Sequence, residues 1–99
     1  MKQIALDASG WRQPDDFYRA LLPQLGAPAW HGHNLDAIDD SIFGGGINRV
    51  EAPFHVAVAN TAGLDEEMRA FLGKVISIFR ERRKEADATI SFDPPLTGL

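Results

Sequence analysis

Residues 30–46 read Trp30-His31-Gly32-His33-Asn34-Leu35-Asp36-Ala37-Ile38-Asp39-Asp40-Ser41-Ile42-Phe43-Gly44-Gly45-Gly46. Asn34 is a favourable N-cap and the glycine run a stop, so the spacing predicts a short helix over residues 35–43. At about 100° per residue, Leu35, Ile38 and Ile42 share one side. Asp36 and Asp40 share the opposite side, with Asp39 on the flank. The aliphatic stripe is expected to face a core and the carboxylates to face water. No lysine or arginine lies between Arg19 and Arg49, so nothing in the segment neutralises these acids. Asp36 sits in the first turn, where the helix dipole favours an anion, but Asp39 and Asp40 lie beyond it. Like charges three and four residues apart cost roughly a few tenths of a kcal/mol per pair. Such a face is either simply solvated or it awaits a cationic partner.

The rest of the chain frames that helix. Residues 3–8 read as a strand ending at Ser9-Gly10. Gln13-Pro14-Asp15-Asp16 then starts a helix, with proline at the first helical position and acids in the first turn. Phe17, Ala20, Leu21 and Leu25 form its apolar stripe, and Gly26-Ala27-Pro28 ends it. Residues 30–33 form a connecting loop. Residues 53–58 read as a buried strand with proline at its start. A long helix follows, with Asp65-Glu66-Glu67 at its N-terminus and Arg80, Arg82, Arg83 and Lys84 at its C-terminus, as the dipole favours. Met68, Phe71, Leu72, Val75, Ile78 and Phe79 make its inward stripe, and Gly73 in its middle marks either a break or a close helix contact. Residues 88–92 form a last strand, closed by Asp93-Pro94-Pro95. Strands separated by helices require crossover connections, so the expected architecture is an α/β fold with a small parallel sheet covered by helices.

With 99 residues the chain suffices for a single domain over 1–99 with one modest core. A hydrophobic fraction of 44% and a charged fraction of 24% are ordinary for a globular protein and leave no apolar run long enough to span a bilayer. Ten basic against fourteen acidic residues give a formal charge of -4, which disfavours a grip on nucleic acid and favours a basic partner. The absence of cysteine excludes disulfides and thiolate metal sites and is compatible with a reducing compartment. The first nine residues lack the apolar stretch of a signal peptide, so the cytoplasm is the expected location.

Several constellations merit weighing. His31 and His33 with Asp36 and Asp40 have ligand types that suit zinc or manganese, which would make a small metal-dependent hydrolase, yet the spacing matches no motif of known metal geometry. The glycine run follows a helix where phosphate loops precede one, so it reads as a terminator. None of serines 9, 41, 77 and 91 sits in a nucleophile elbow, and enzyme chemistry has little support. No cofactor is expected. Trp30, an indole in a polar loop, is either a lid over the core, the reading its position slightly favours, or an exposed anchor for a partner. The basic cluster at residues 80–84 reads first as helix C-terminal charge and second as a patch for RNA or a partner.

The run Pro28-Ala29-Trp30-His31-Gly32-His33-Asn34-Leu35-Asp36-Ala37-Ile38-Asp39-Asp40 resembles the signature of the barstar family of intracellular ribonuclease inhibitors. That family carries proline, an aromatic pair, glycine, Asn-Leu-Asp-Ala, an aliphatic, one further residue and aspartate in this order. Val50-Glu51-Ala52-Pro53, Phe79-Arg80-Glu81 and Ala86-Asp87-Ala88-Thr89-Ile90 are further matches, and the likeness runs from about residue 3 to residue 92. The resemblance implies a three-stranded parallel sheet with three to four helices. It also implies a surface that plugs the active site of a basic, barnase-like ribonuclease or a related toxin in a one-to-one complex, without nucleic acid or membrane. Asp36 and Asp40 would stand in for RNA phosphates, Glu81 would add a peripheral ion pair, and Trp30 would pack on the enzyme as an anchor. The expected partner-binding residues are Trp30, His31, His33, Asn34, Asp36, Asp39, Asp40, Phe43 and Glu81. The chain departs from the family at His31, which replaces the second aromatic, at His33, which replaces an acid, at Asp39, which replaces an aromatic, and in a longer turn over residues 44–49. The alternative is the same fold used as an interaction or regulatory module, or as an immunity protein against a toxin that is not a ribonuclease.

Overall fold

The computed structural model describes residues 1–96. Three strands, β1 (Lys2–Asp7), β2 (Phe54–Ala59) and β3 (Ala88–Asp93), form one sheet in the order β1-β2-β3 with both pairs parallel. Ile4, Val56 and Ile90 stand in register, as do Leu6, Val58 and Phe92. These alternate residues face the helices, and Ile4, Leu6, Val56 and Val58 are buried.

The opposite face of the sheet is open, which corrects the expectation of a buried second strand. Ala5, Ala57 and Ser91 are exposed there, and His55 is half-buried. Its Nδ1 lies 2.7 Å from Thr89 Oγ1 and its Nε2 2.8 Å from Ser91 Oγ, a polar ladder suited to water. The physical reason is the strand order. Both crossovers advance in the same direction across the sheet, and right-handed crossovers of that kind place their helices on the same face.

The first crossover carries α1 (Pro14–Gln24) and α2 (Leu35–Ile38), the latter continued by a π-helical segment, Asp39–Gly44. Asp16 Oδ2 accepts hydrogen bonds from the backbone of Arg12 and Gln13 at 2.7 and 3.1 Å and so closes the start of α1. At its end the Ala27 N–H donates to the Leu22 carbonyl and the Gly26 N–H to that of Pro23, the pairing of a Schellman turn. Gly26 adopts φ +63°, and a Cβ there would lie 2.7 Å from Arg49 Cβ, so glycine is required on both grounds.

The second crossover is α3 (Glu66–Glu81), capped by Asp65, whose side chain accepts from the Met68 N–H at 2.8 Å. The helix runs unbroken through Gly73, and the Ser77 hydroxyl bonds back to the Gly73 carbonyl. Between sheet and helices lie Phe17 and Leu21 of α1 with Leu25 at its C-cap, Ile38 and Ile42, and Met68, Leu72 and Val75, all buried. Full burial of each such side chain contributes about 1.5–3 kcal/mol. Of the α3 stripe, Phe71 and Ile78 are only half-buried and flank the core.

Candidate functional site

Asn34 caps α2 through a 2.8 Å hydrogen bond from the Ala37 N–H, and Asp36 follows in the first turn. One turn of α-helix then gives way to the π-helical segment, which corrects the expected single α-helix over residues 35–43. Ser41, Ile42 and Phe43 are all buried. Consecutive residues can be buried together only where the helix has partners on more than one side. The wider i→i+5 turn adapts its side-chain directions to that demand.

The loop before α2 is tied down at several points. His31 is 6% exposed, with Nδ1 2.8 Å from the Gly32 carbonyl and Nε2 2.8 Å from Ser41 Oγ. A carbonyl only accepts, so Nδ1 donates to Gly32, while the Ser41 hydroxyl also lies 3.4 Å from the Ile38 carbonyl as its donor. His33 points the other way. Its Nδ1 is 2.6 Å from Asp15 Oδ1, and its ring stacks on Tyr18 with centroids 5.7 Å apart. The His33 contact, and secondarily Arg19, hold the Asp15 carboxyl below its ordinary value. Burial pushes the Tyr18 hydroxyl up to about 12. The two histidines thus serve different elements, and among the described residues no three His, Asp or Glu side chains gather as metal ligands would.

Between these ties Trp30 projects outward at 74% exposure, which sets aside its reading as a lid. Asp36 and Asp40 are exposed as well. Among the described residues neither has an ion-pair partner. Asp39 differs. Its Oδ1 lies 3.4 Å from Arg82 Nε, an ion pair at longer than hydrogen-bond reach, and both atoms are otherwise unpartnered. Sequence reasoning found no cation within the segment, and tertiary structure supplies one. Phe43 packs edge-on against Phe79 at 5.4 Å, and Asp39 and Arg82 lie one turn away from each of them, as antiparallel packing of the two elements demands.

Two of the expected contact residues are therefore interior. His31 and Phe43 are 6% and 5% exposed and pack beneath the loop and the acidic segment. His33, Asn34, Asp36, Asp40 and Glu81 are exposed, and Asp39 is half-buried. In the basic cluster Arg83 pairs with Asp87 at 2.7 Å and Arg82 with Asp39, so half of those charges are already engaged within the fold. No helix among the described residues is long and apolar enough to cross a membrane.

A small parallel α/β protein that holds an acidic surface and one exposed aromatic on a pinned loop is the class that fold and site define. The chain belongs to the Barstar family, whose sequence model, described as Barstar (barnase inhibitor), matches residues 1–93. No curated protein matches the chain by sequence. Membership places it, at the level of the family, among ribonuclease inhibitors rather than enzymes.

Proposed function

We propose that this chain is an intracellular inhibitor that occupies the active site of a basic ribonuclease of the secreted, barnase-like type, or of a related toxin, in a one-to-one complex. The observation that carries this reading is the pair Asp36 and Asp40, exposed beside Trp30 and without a cation among the described residues. Two carboxylates on one helical face can take the positions of successive phosphates and meet the arginine, lysine and histidine side chains that hold RNA. Trp30 fills the rim of the cleft, and Glu81 adds an ion pair at the periphery. The loop is fixed by His31, His33 and Asn34, so little ordering remains to be done on binding. Charge complementarity raises the encounter rate and penalises wrong partners.

The test is a titration of the protein into a panel of small basic ribonucleases, with RNA cleavage as the readout. Inhibition should saturate near equimolar protein. Asp40→Ala, and separately Asp36→Ala, should each lose on the order of several kcal/mol of affinity, provided the opposing cations are buried on binding. That magnitude is the one observed for close charge pairs of barnase and barstar, carried over to a member of the same family. Stability should be unchanged within about 0.5 kcal/mol, because both side chains are exposed. Inhibition that survives both substitutions would remove the mechanism.

A further inference from the structure

β3 is an edge strand of the sheet. The Phe54 N–H donates to the Asp87 carbonyl, which fixes the alternation of the parallel pair. The backbone groups of Thr89 and Ser91 therefore point to β2, and those of Ala88, Ile90 and Phe92 point away from it. Among the described residues none of these three receives a backbone hydrogen bond from outside the sheet. The strand carries no lysine, proline or bulge of the kind that blunts exposed edges.

The same three residues turn their side chains to the helix side, level with the buried Phe54, Val56 and Val58. Ile90 and Phe92 nonetheless stay half-buried. Beyond them lies a groove of about 500 Å³, walled by Ile76 and Phe79 of α3 and bounded by Arg80 and Arg83 on one side and by Pro95 and Leu96, after β3, at one end. Arg83 is shared with Asp87, whereas Arg80 is exposed and has no ion-pair partner among the described residues. An open edge, an apolar trough along it and guanidinium groups at its margin coincide in one place.

We infer that this edge is a second binding surface, one that takes an extended segment of a partner protein as a fourth strand. That segment would alternate apolar and acidic side chains on the groove side. Strand addition would satisfy the outward backbone groups of Ile90 and Phe92, which have no backbone partner among the described residues, and the groove would seat the inward side chains. Arg80 selects an acid among them, which is the charge complementarity that distinguishes this occupant from a neutral strand. The inference uses none of the side chains proposed to meet a ribonuclease and stands independently of that reading.

The test uses the full chain and a synthetic peptide, acetyl-Thr-Val-Thr-Glu-Thr-Val-Thr-amide, beside a counterpart with lysine in place of the glutamate. In two-dimensional NMR the amides of Ile90 and Phe92 should shift with the glutamate peptide, and their exchange with solvent should slow by about tenfold or more. Arg80→Glu, with near-UV circular dichroism unchanged, should weaken the peptide by about tenfold or more, and Arg80→Gln should do so to a lesser degree. Absence of any change in β3, or equal binding of the lysine peptide, overturns the proposal. So does a shift of the same amides with protein concentration alone, which would assign the edge to a second copy of this chain.

Discussion

His31 shows what one buried polar side chain does for an exposed surface. It spans from the Gly32 carbonyl to the Ser41 hydroxyl and so fastens the Trp30 loop to the helix that carries the acids. His31→Ala leaves Ser41 buried without that partner and should cost about 1–3 kcal/mol in urea unfolding. The same variant should weaken inhibition although the side chain is buried, and His31→Gln should restore part of both. Undiminished inhibition by a destabilised His31→Ala would show that the loop need not be held. Asp15 governs a different response. Its carboxyl sits below the ordinary value of 3.8, because of the His33 hydrogen bond first and Arg19 after it. A depressed carboxylate adds stability above its unfolded-state value and loses it as pH falls through the folded-state value. Unfolding free energy should therefore drop below about pH 4, and Asp15→Asn should flatten that acid limb. Parallel pH series of the two proteins in urea would show it.

At the scale of elements, the junction between the π-helical segment and the end of α3 decides how much charge the acidic face displays. Arg82 holds Asp39 at 3.4 Å, with about a third of each side chain exposed (37% and 30%). A pair so placed is worth at most about 1 kcal/mol, so Arg82→Ala should barely change stability. It should release Asp39 and remove a positive charge beside the face. The expected outcome is association with a basic ribonuclease faster by about two- to threefold at low salt, measured by stopped-flow mixing. Slower association would place Arg82 among the contacts instead. The helix boundaries themselves were legible, since Pro14, Asn34 and Asp65 mark their starts by local chemistry. The change from α to π at Asp39 was not legible. It answers to the burial of Ser41 against the loop and of Phe43 against α3, which no window of sequence contains.

The molecule as a whole carries a formal charge of -4, and the uncompensated acids Asp36 of α2 and Asp40 of the π-helical segment carry part of it. Long-range attraction of a basic enzyme should therefore be screened by salt. Raising ionic strength from about 0.02 to about 0.5 M shortens the Debye length to a few ångströms. The association rate should fall more than the dissociation rate rises, in a kinetic binding assay at several salt concentrations. Equal effects on both rates would assign recognition to short-range contacts. The same scale explains the bare side of the sheet. Parallel sheets are usually sheltered on both faces, and here the order β1-β2-β3 sends both crossovers to one side, leaving His55, Thr89 and Ser91 to hydrogen-bond across the other.

The amino-acid sequence alone determined the α/β class, the helix starts, and the presence of acids over residues 36–40 without a cation nearby in the chain. Each depends on propensity, capping or spacing over a few residues, and such interactions act within one element. Only the tertiary structure decided which polar groups are spoken for. Asp39 looks as unpaired as Asp40 along the chain until the Phe43 and Phe79 rings bring Arg82 beside it. His31 and His33 look like neighbours until one turns inward to Ser41 and the other outward to Asp15. Those outcomes rest on contacts between residues far apart in sequence. Their partners become identifiable only once the core has set the helices against one another.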